Sequence, residues 1–168
     1  MPINSIKTNN LSEELEKRIQ DAVEYFMAGY GCGQSVVAAF ADLYGMDKNT
    51  ALCIGAGFGG GVGKLRMMCG AVSGMVILAG LDCGQTDATD REGKAACYKV
   101  VQQLLATFKE RNGSVICAEL LGLTAQQRAQ ETHVPAARNA AYYKKRPCAA
   151  KVESAARIFA EYLEAKKK

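Results

Sequence analysis

The stretch GAGFGGGVGKLRMMCGAVSGMVILAGLDCG, residues 55–84, decides how this chain folds. Seven of the seventeen glycines lie between Gly55 and Gly70. Glycine loses much backbone entropy on folding and has no side chain to pack, so this density indicates an unusual backbone path or a close approach to another group. Residues 69–81, which follow, are apolar and small. They predict a buried helix or a buried strand, because periodicity does not distinguish the two in an all-apolar run.

Amphipathic segments lie on both sides of this stretch. Apolar spacing and capping residues predict long helices over residues 11–28, 32–44, 91–111 and 148–165, and short helices after Asp47 and Ser114. Residues 84–90 are expected to form a polar loop, and residues 124–145 a loop with some helix. The sequence therefore predicts an all-α fold: a single-domain bundle of six or seven helices over residues 1–168, with a glycine-rich loop before a buried central helix. Residues 1–10 are expected to be a flexible amino terminus, and residues 166–168 a basic tail.

Composition excludes several classes of protein. A chain of 168 residues with 49% hydrophobic content suffices for one domain with a core. The net charge is only +4, and no basic stripe alternates with aromatic residues, so nucleic acid is not an expected partner. The amino terminus lacks the apolar segment of a secretory signal, and no apolar run approaches the roughly 18 residues that span a bilayer. We expect a soluble cytoplasmic protein without membrane insertion.

The seven cysteines are the main chemical signal. In a reducing cytoplasm they indicate catalytic, redox or metal-binding thiols rather than structural disulfides. Four of them lie at or within the first turn of a predicted helix: Cys32, Cys69, Cys117 and Cys148. Unpaired N–H groups and the positive end of the helix dipole favour the thiolate there.

Basic residues near two of these cysteines strengthen this effect. Lys64 and Arg66 precede Cys69, and Lys145 and Arg146 precede Cys148. Cations stabilise a thiolate, so we expect the pKa of Cys69 in particular to be lowered.

The remaining candidate side chains carry weaker signals. Cys53 and Cys97 fall in helix interiors, where free cysteine usually packs as a small hydrophobic residue, and Cys83 falls at a helix end. The only histidine, His133, lies in the polar segment 124–145. A catalytic Cys–His pair would have to use it, but its loop predicts a surface position.

The spacing of the four helix-start cysteines leaves their chemistry open. Intervals of 37, 48 and 31 residues exclude a local zinc ribbon, and the chain has no Cys-x-x-Cys motif. If the fold brings them together, they could form two disulfides, one disulfide with a resolving pair, or a four-thiolate site for zinc or iron–sulfur.

These residues resemble the C_GCAxxG_C_C family, whose redox activity is inferred from its cysteines. Residues 58–74, FGGGVGKLRMMCGAVSG, match its glycine-rich approach and central motif, although Cys69 precedes Gly70 here and the family label writes Gly before Cys. Cys32 in GCGQSVVAAF, Cys117 in VICAELLG and Cys148 in RPCAAKV match the other three cysteines. The resemblance covers residues 12–165 and implies a helical, cytoplasmic, redox-active protein.

Two nucleotide-binding patterns are not supported. Gly55, Gly57 and Gly60 fit G-x-G-x-x-G, and Asp82 follows at a suitable distance for a dinucleotide fingerprint. The surrounding sequence is helical and offers no parallel strands, which this fingerprint requires. The Walker pattern fails because Phe58 replaces its first glycine and Leu65 its Ser or Thr.

Two functional hypotheses remain, besides a helical assembly protein with incidental thiols. In the first, Cys69 attacks a disulfide or oxidant, and Cys32, Cys117 or Cys148 resolves the intermediate. This chemistry needs no cofactor, and its partner is a redox protein or a small disulfide or oxidant. In the second, the same four cysteines ligate zinc or an iron–sulfur cluster in an electron carrier or sensor.

In the second hypothesis the glycine-rich loop brings backbone N–H groups near the sulfurs. Its candidate cofactor-binding residues are Gly59, Gly60, Gly61, Lys64 and Arg66. From the apolar, alanine-rich helical surface we also expect a homodimer.

Overall fold

The computed structural model describes residues 10–168, which form nine α-helices and no strand. The all-α prediction is confirmed. Most of the flexible terminus predicted for residues 1–10 lies outside the described residues. The helices are α1 (Glu13–Met27), α2 (Cys32–Phe40), α3 (Lys48–Ala56), α4 (Gly70–Cys83), α5 (Arg91–Asn112), α6 (Cys117–Leu120), α7 (Ala125–Ala129), α8 (Ala140–Lys145) and α9 (Cys148–Lys166).

Local sequence signals set several helix ends. Ser12 caps α1 by accepting a hydrogen bond from the N–H of Leu15, and Asp47 caps α3 in the same way from Thr50. Gly113 ends α5 with a φ of 90°, a conformation that glycine adopts without a steric penalty.

Residues 10–168 contain more than the six or seven predicted helices because residues 124–145, expected to form a loop with some helix, contain two short helices. Thr124 caps α7 and Asn139 caps α8. The predicted helix over residues 32–44 is also divided, since α2 ends at Phe40 and a 3₁₀ turn follows over Ala41–Tyr44.

Helix α4 is the buried central element. It packs against α2, α5 and α9, and α1 packs against α2 and α9 on the outside of the bundle. Val72, Met75 and Leu78 are fully buried, which explains why residues 69–81 show no polar face. Residues 70–83 are helical, so the segment is a buried helix rather than a buried strand.

Glycines allow α2 to approach two helices closely. A Cβ on Gly55 of α3 would lie 2.7 Å from the backbone nitrogen of Gln34, and one on Gly74 of α4 would lie 2.9 Å from the Cβ of Val36. A Cβ on Gly70 would lie 3.1 Å from the Cβ of Cys32. The same close packing therefore brings the first residue of α2 to the start of α4.

Residues 57–68 form a compact loop with left-handed backbone. Gly60, Gly61 and Gly63 have φ values of 65°, 73° and 55°. Val62, Lys64 and Arg66 also have positive φ, which costs a non-glycine residue about 1–2 kcal/mol.

Hydrogen bonds to the segment before and within α6 hold this loop in place. The carbonyl groups of Arg66 and Met67 accept from the N–H groups of Ala118 and Cys117, at 3.2 and 2.6 Å. The N–H of Cys69 in turn donates to the carbonyl of Val115, at 2.8 Å. These bonds set the position of α6 against the start of α4.

None of the helices in residues 10–168 combines the length and apolar character needed to cross a membrane.

Candidate active site

Four cysteines lie at the amino ends of helices, as predicted. Cys32, Cys117 and Cys148 are the first residues of α2, α6 and α9, and Cys69 is the N-cap of α4. All four line one cavity of about 560 Å³. The fold thus gathers thiols that are far apart in sequence, and all of them are free.

Cys32 and Cys148 are neighbours at the wall of this cavity. Hydrogen bonding by the Cys32 thiol lowers the pKa of Cys148 to about 7, despite burial, and Arg146 and Arg138 add to this lowering. The Cys148 side chain, together with burial, raises the pKa of Cys32 well above its usual value. At neutral pH Cys32 is therefore protonated, and about half of the Cys148 side chains are thiolates.

Cys69 does not have the lowered pKa that the sequence predicted. Burial raises its pKa to about 11, and hydrogen bonds from backbone N–H groups at the start of α4 oppose this effect too weakly. The thiol is only 6% exposed. Lys64 and Arg66 do not compensate because both pair with Glu131. Because the thiolate is the nucleophile, Cys69 is poorly suited to attack first.

Arg66 faces Cys117 rather than Cys69. It is only 3% exposed, and its Nε and Nη2 lie 2.9 and 2.8 Å from Oε1 of Glu131. Its Nη1 lies 3.7 Å from the Sγ of Cys117. Burial raises the pKa of Cys117, and Arg66 partly offsets the increase. Glu131 therefore ties the segment 124–145 to the glycine-rich loop.

The five predicted cofactor-binding residues all line the cavity: Gly59, Gly60, Gly61, Lys64 and Arg66. Two of the glycines also have a steric role. A Cβ on Gly61 would lie 2.6 Å from the Cβ of Cys117, and one on Gly60 would lie 2.8 Å from the Cα of Lys64. These glycines allow the loop to pack on Cys117, and cofactor binding by the loop stays a prediction.

The segment 124–145 brings residues to the cavity that no sequence pattern indicated. Arg138 and Tyr142 line it, and so does His133, although His133 is exposed as predicted. The guanidinium group of Arg138 donates to the carbonyl groups of Phe26 and Tyr30, at 3.0 and 3.1 Å. No local motif links Arg138 to Cys148, so only the packing of this segment shows that they meet.

The other three cysteines lie away from the cavity. Cys53 is exposed, which corrects its expected packing in a helix interior. Cys83, the last residue of α4, is a neighbour of Cys97 of α5. Burial, together with the interaction with Cys97, raises the pKa of Cys83 to about 11. This second thiol pair has no signal in the sequence, because it depends on how α4 and α5 pack.

A metal site is the other arrangement considered for these thiols. Across residues 10–168, no group of three or more His, Cys, Asp or Glu side chains is arranged to hold a metal ion. Cys32, Cys69, Cys117 and Cys148 share a cavity, but in this arrangement they do not form the four-thiolate site considered above.

A family model described as "Putative redox-active protein (C_GCAxxG_C_C)" matches residues 30–162. The matched range includes all four cavity cysteines and the segment that carries Arg138. No curated protein and no solved structure matches the chain.

Proposed function

The chain belongs to the C_GCAxxG_C_C family, and we propose that it transfers electrons by thiol–disulfide exchange, with Cys148 as the attacking thiolate and Cys32 as the resolving thiol. The observation that carries this proposal is that these two thiols line one cavity and lie near enough for each to shift the pKa of the other. A disulfide joins cysteines whose Cβ atoms lie about 4 Å apart, so neighbouring thiols are the candidates for this bond.

The exchange balances with an external disulfide as the oxidant. The Cys148 thiolate attacks one sulfur of R–S–S–R, the S–S bond breaks, and RS⁻ leaves while Cys148 forms a mixed disulfide with the other half. Cys32 then attacks the Sγ of Cys148, its proton passes to a leaving thiolate, and the second RS⁻ departs. One protein thiolate and one thiol become a disulfide, and the substrate disulfide becomes one thiol and one thiolate, RSH and RS⁻.

The environment of Cys148 supports its role. The optimum attacking thiol has a pKa near the ambient pH, because a higher pKa leaves little thiolate and a lower one weakens the nucleophile. Arg138 and Arg146 stabilise the thiolate electrostatically, and Cys32 does so by hydrogen bonding. In this proposal Cys69 and Cys117 are protonated thiols of the same cavity, and attack by Cys69 is the competing assignment.

A single-turnover reaction tests the assignment. Fully reduced protein is mixed with hydroxyethyl disulfide, and alkylation with mass spectrometry locates the products. The expected product is a Cys32–Cys148 disulfide. Cys148→Ser should abolish the reaction, whereas Cys32→Ser should stop it at a mixed disulfide on Cys148. Cys83→Ser is the matched control, because Cys83 lies outside the cavity.

Two results would contradict the proposal. Loss of reaction in Cys69→Ser but not in Cys148→Ser would return the attack to Cys69. Absence of any thiol oxidation by disulfides, with zinc or iron bound to the purified protein, would favour the four-cysteine metal hypothesis instead.

The setting of this chemistry is part of the proposal. A reducing cytoplasm suits seven free cysteines, and the electron partner is a redox protein or a small disulfide. A homodimer is proposed from the apolar, alanine-rich surface, and sedimentation at several concentrations checks it.

A further inference from the structure

Positive charge surrounds the cavity that holds the four cysteines. None of its lining residues is Asp or Glu. Five basic side chains line it: Lys64, Arg66, Arg138, Arg146 and Lys151. Glu131 lies behind the wall and pairs with Lys64 and Arg66, at 3.2 and 2.8 Å. One carboxylate therefore serves two of the five cations.

The other three cations have no carboxylate partner among residues 10–168. Arg138 donates to backbone carbonyls, and Lys151 donates to Oδ1 of Asn112 at 3.1 Å. Arg146 lies over the ring of Tyr142, 5.2 Å from its centroid. These neighbours orient the side chains and are uncharged, and the Cys148 thiolate offsets at most one of the three positive charges. Net positive charge therefore remains, and the cavity favours an anionic occupant.

The cavity also has the size of a small-molecule site. Its volume of about 560 Å³ falls within the range of roughly 300–1,000 Å³ that is typical of ligand pockets. A ligand in it would contact the two thiols and the uncompensated cations together, because all of them line the same space.

We propose that the oxidant of Cys32 and Cys148 is a small disulfide that carries carboxylate groups, and that Arg146 with Lys151 and Arg138 binds those groups. This inference rests on the proposed thiol–disulfide function and adds the class of substrate. The covalent steps are those given above, with each leaving group a carboxylate-bearing thiol. The cations hold the disulfide beside Cys148 and attract it from solution.

Three disulfides of different charge test the inference on the intact reduced protein. Glutathione disulfide is anionic, hydroxyethyl disulfide is neutral and cystamine is cationic. Single-turnover rates are divided by the rate of each disulfide with free mercaptoethanol, which removes their intrinsic reactivities. The expected order is anionic, then neutral, then cationic. Added salt should slow only the anionic reaction markedly, because screening weakens attraction between charges.

Arg146→Gln separates substrate binding from an effect on the thiol. The loss of Arg146 also raises the pKa of Cys148, but this change slows the anionic and neutral reactions alike. We expect the ratio of the anionic to the neutral rate to fall about fivefold, which corresponds to one ion pair in water. Lys151→Gln should lower the same ratio. Arg91→Gln is the control of equal charge change, since Arg91 is exposed at the start of α5 and does not line the cavity.

The outcomes distinguish this inference from the function on which it rests. If hydroxyethyl disulfide oxidises Cys32 and Cys148 but the normalised anionic rate is no higher, the exchange chemistry stands and the anionic substrate is wrong. An equal fall of the ratio in Arg91→Gln and Arg146→Gln would also overturn it, because the effect would then come from net charge. If no disulfide reacts, the proposed function itself fails.

Discussion

Among single residues, the neighbours of a thiol decide its protonation more than its position on a helix does. All four cavity cysteines lie at helix starts, yet the pKa is lowered only at Cys148. A helix terminus contributes about 0.3–1 kcal/mol, which is less than one pKa unit. Burial and hydrogen bonding to the charged form have larger effects, and these differ among the four positions.

The pH dependence of alkylation should report this difference at Cys148. Iodoacetamide reacts with the thiolate, so the alkylation rate at Cys148 should rise with pH, with a midpoint at about pH 7. Cys32→Ala removes the hydrogen bond to the thiolate, and the midpoint should move upward. Rates for each cysteine come from mass spectrometry after timed labelling. Cys83→Ala should leave the midpoint unchanged, and an unchanged midpoint in Cys32→Ala would show that Cys32 does not stabilise the thiolate.

Between elements, glycine determines how closely helices approach. Gly74→Ala adds a Cβ where α4 meets α2, 2.9 Å from the Cβ of Val36 and 3.0 Å from the carbonyl oxygen of Gly33. Overpacking of this kind typically costs about 1–3 kcal/mol. We expect urea unfolding, followed by circular dichroism, to show this loss in the free energy of unfolding.

Gly80→Ala is the matched control on the same helix. A Cβ there has no atom within 4 Å, and alanine is a better helix former than glycine by about 1 kcal/mol. This variant should be as stable as the parent or more stable. Equal destabilisation by both changes would mean that the contact of α4 with α2 tolerates a methyl group.

The glycine-rich loop makes a corresponding prediction at Gly61. Alanine there would adopt a φ of 73°, and its Cβ would lie 2.6 Å from the Cβ of Cys117. The strain of about 1–2 kcal/mol from the backbone alone should lower the urea midpoint, and displacement of Cys117 should change its alkylation rate. Gly57→Ala has a φ of −70° and no atom within 4 Å of the new Cβ, so both quantities should stay near the parent values.

In the molecule as a whole, Asp82 fastens the carboxyl-terminal helix to the core. Its side chain is 8% exposed and accepts hydrogen bonds from the Tyr44 hydroxyl at 3.0 Å and the Tyr162 hydroxyl at 2.6 Å. Lys166, expected in a basic tail, instead ends α9 and lies 2.6 Å from the same carboxylate. Asp82, the acidic residue that fits the dinucleotide-binding pattern, therefore links α4, the 3₁₀ turn and α9.

Asp82 should make stability depend on acid pH. Burial raises its pKa, but the three donors outweigh burial and lower it below the usual value of 3.8. Its stabilisation is therefore present above about pH 4 and is lost as pH falls through the lowered pKa. Asp82→Asn should cost about 1–3 kcal/mol near neutral pH and flatten the acid limb of a plot of unfolding free energy against pH. Glu110→Gln, at an exposed position without an ion pair to any residue from 10 to 168, should leave that limb unchanged.

Much of this architecture could be predicted because it depends on local rules. Capping at Ser12 and Asp47, the end of α5 at Gly113 and the helical starts of the four cavity cysteines follow from residue types a few positions apart. The division of residues 32–44 and the two short helices α7 and α8 could not be placed with the same accuracy. They depend on how each segment packs against the bundle.

The sequence by itself determined the long helices on both sides of α4, the buried character of residues 69–81, the glycine-rich loop and the helix-start positions of the four cavity cysteines. These features follow from periodicity, backbone freedom and helix-terminal position, which neighbouring residues fix. Only the tertiary structure decided that Cys148 pairs with Cys32, that Arg66 turns to Glu131 and Cys117, and that Arg138 reaches the cavity. The physical reason is that burial, hydrogen bonding and charge act through space, so groups far apart in the chain set the protonation of each thiol.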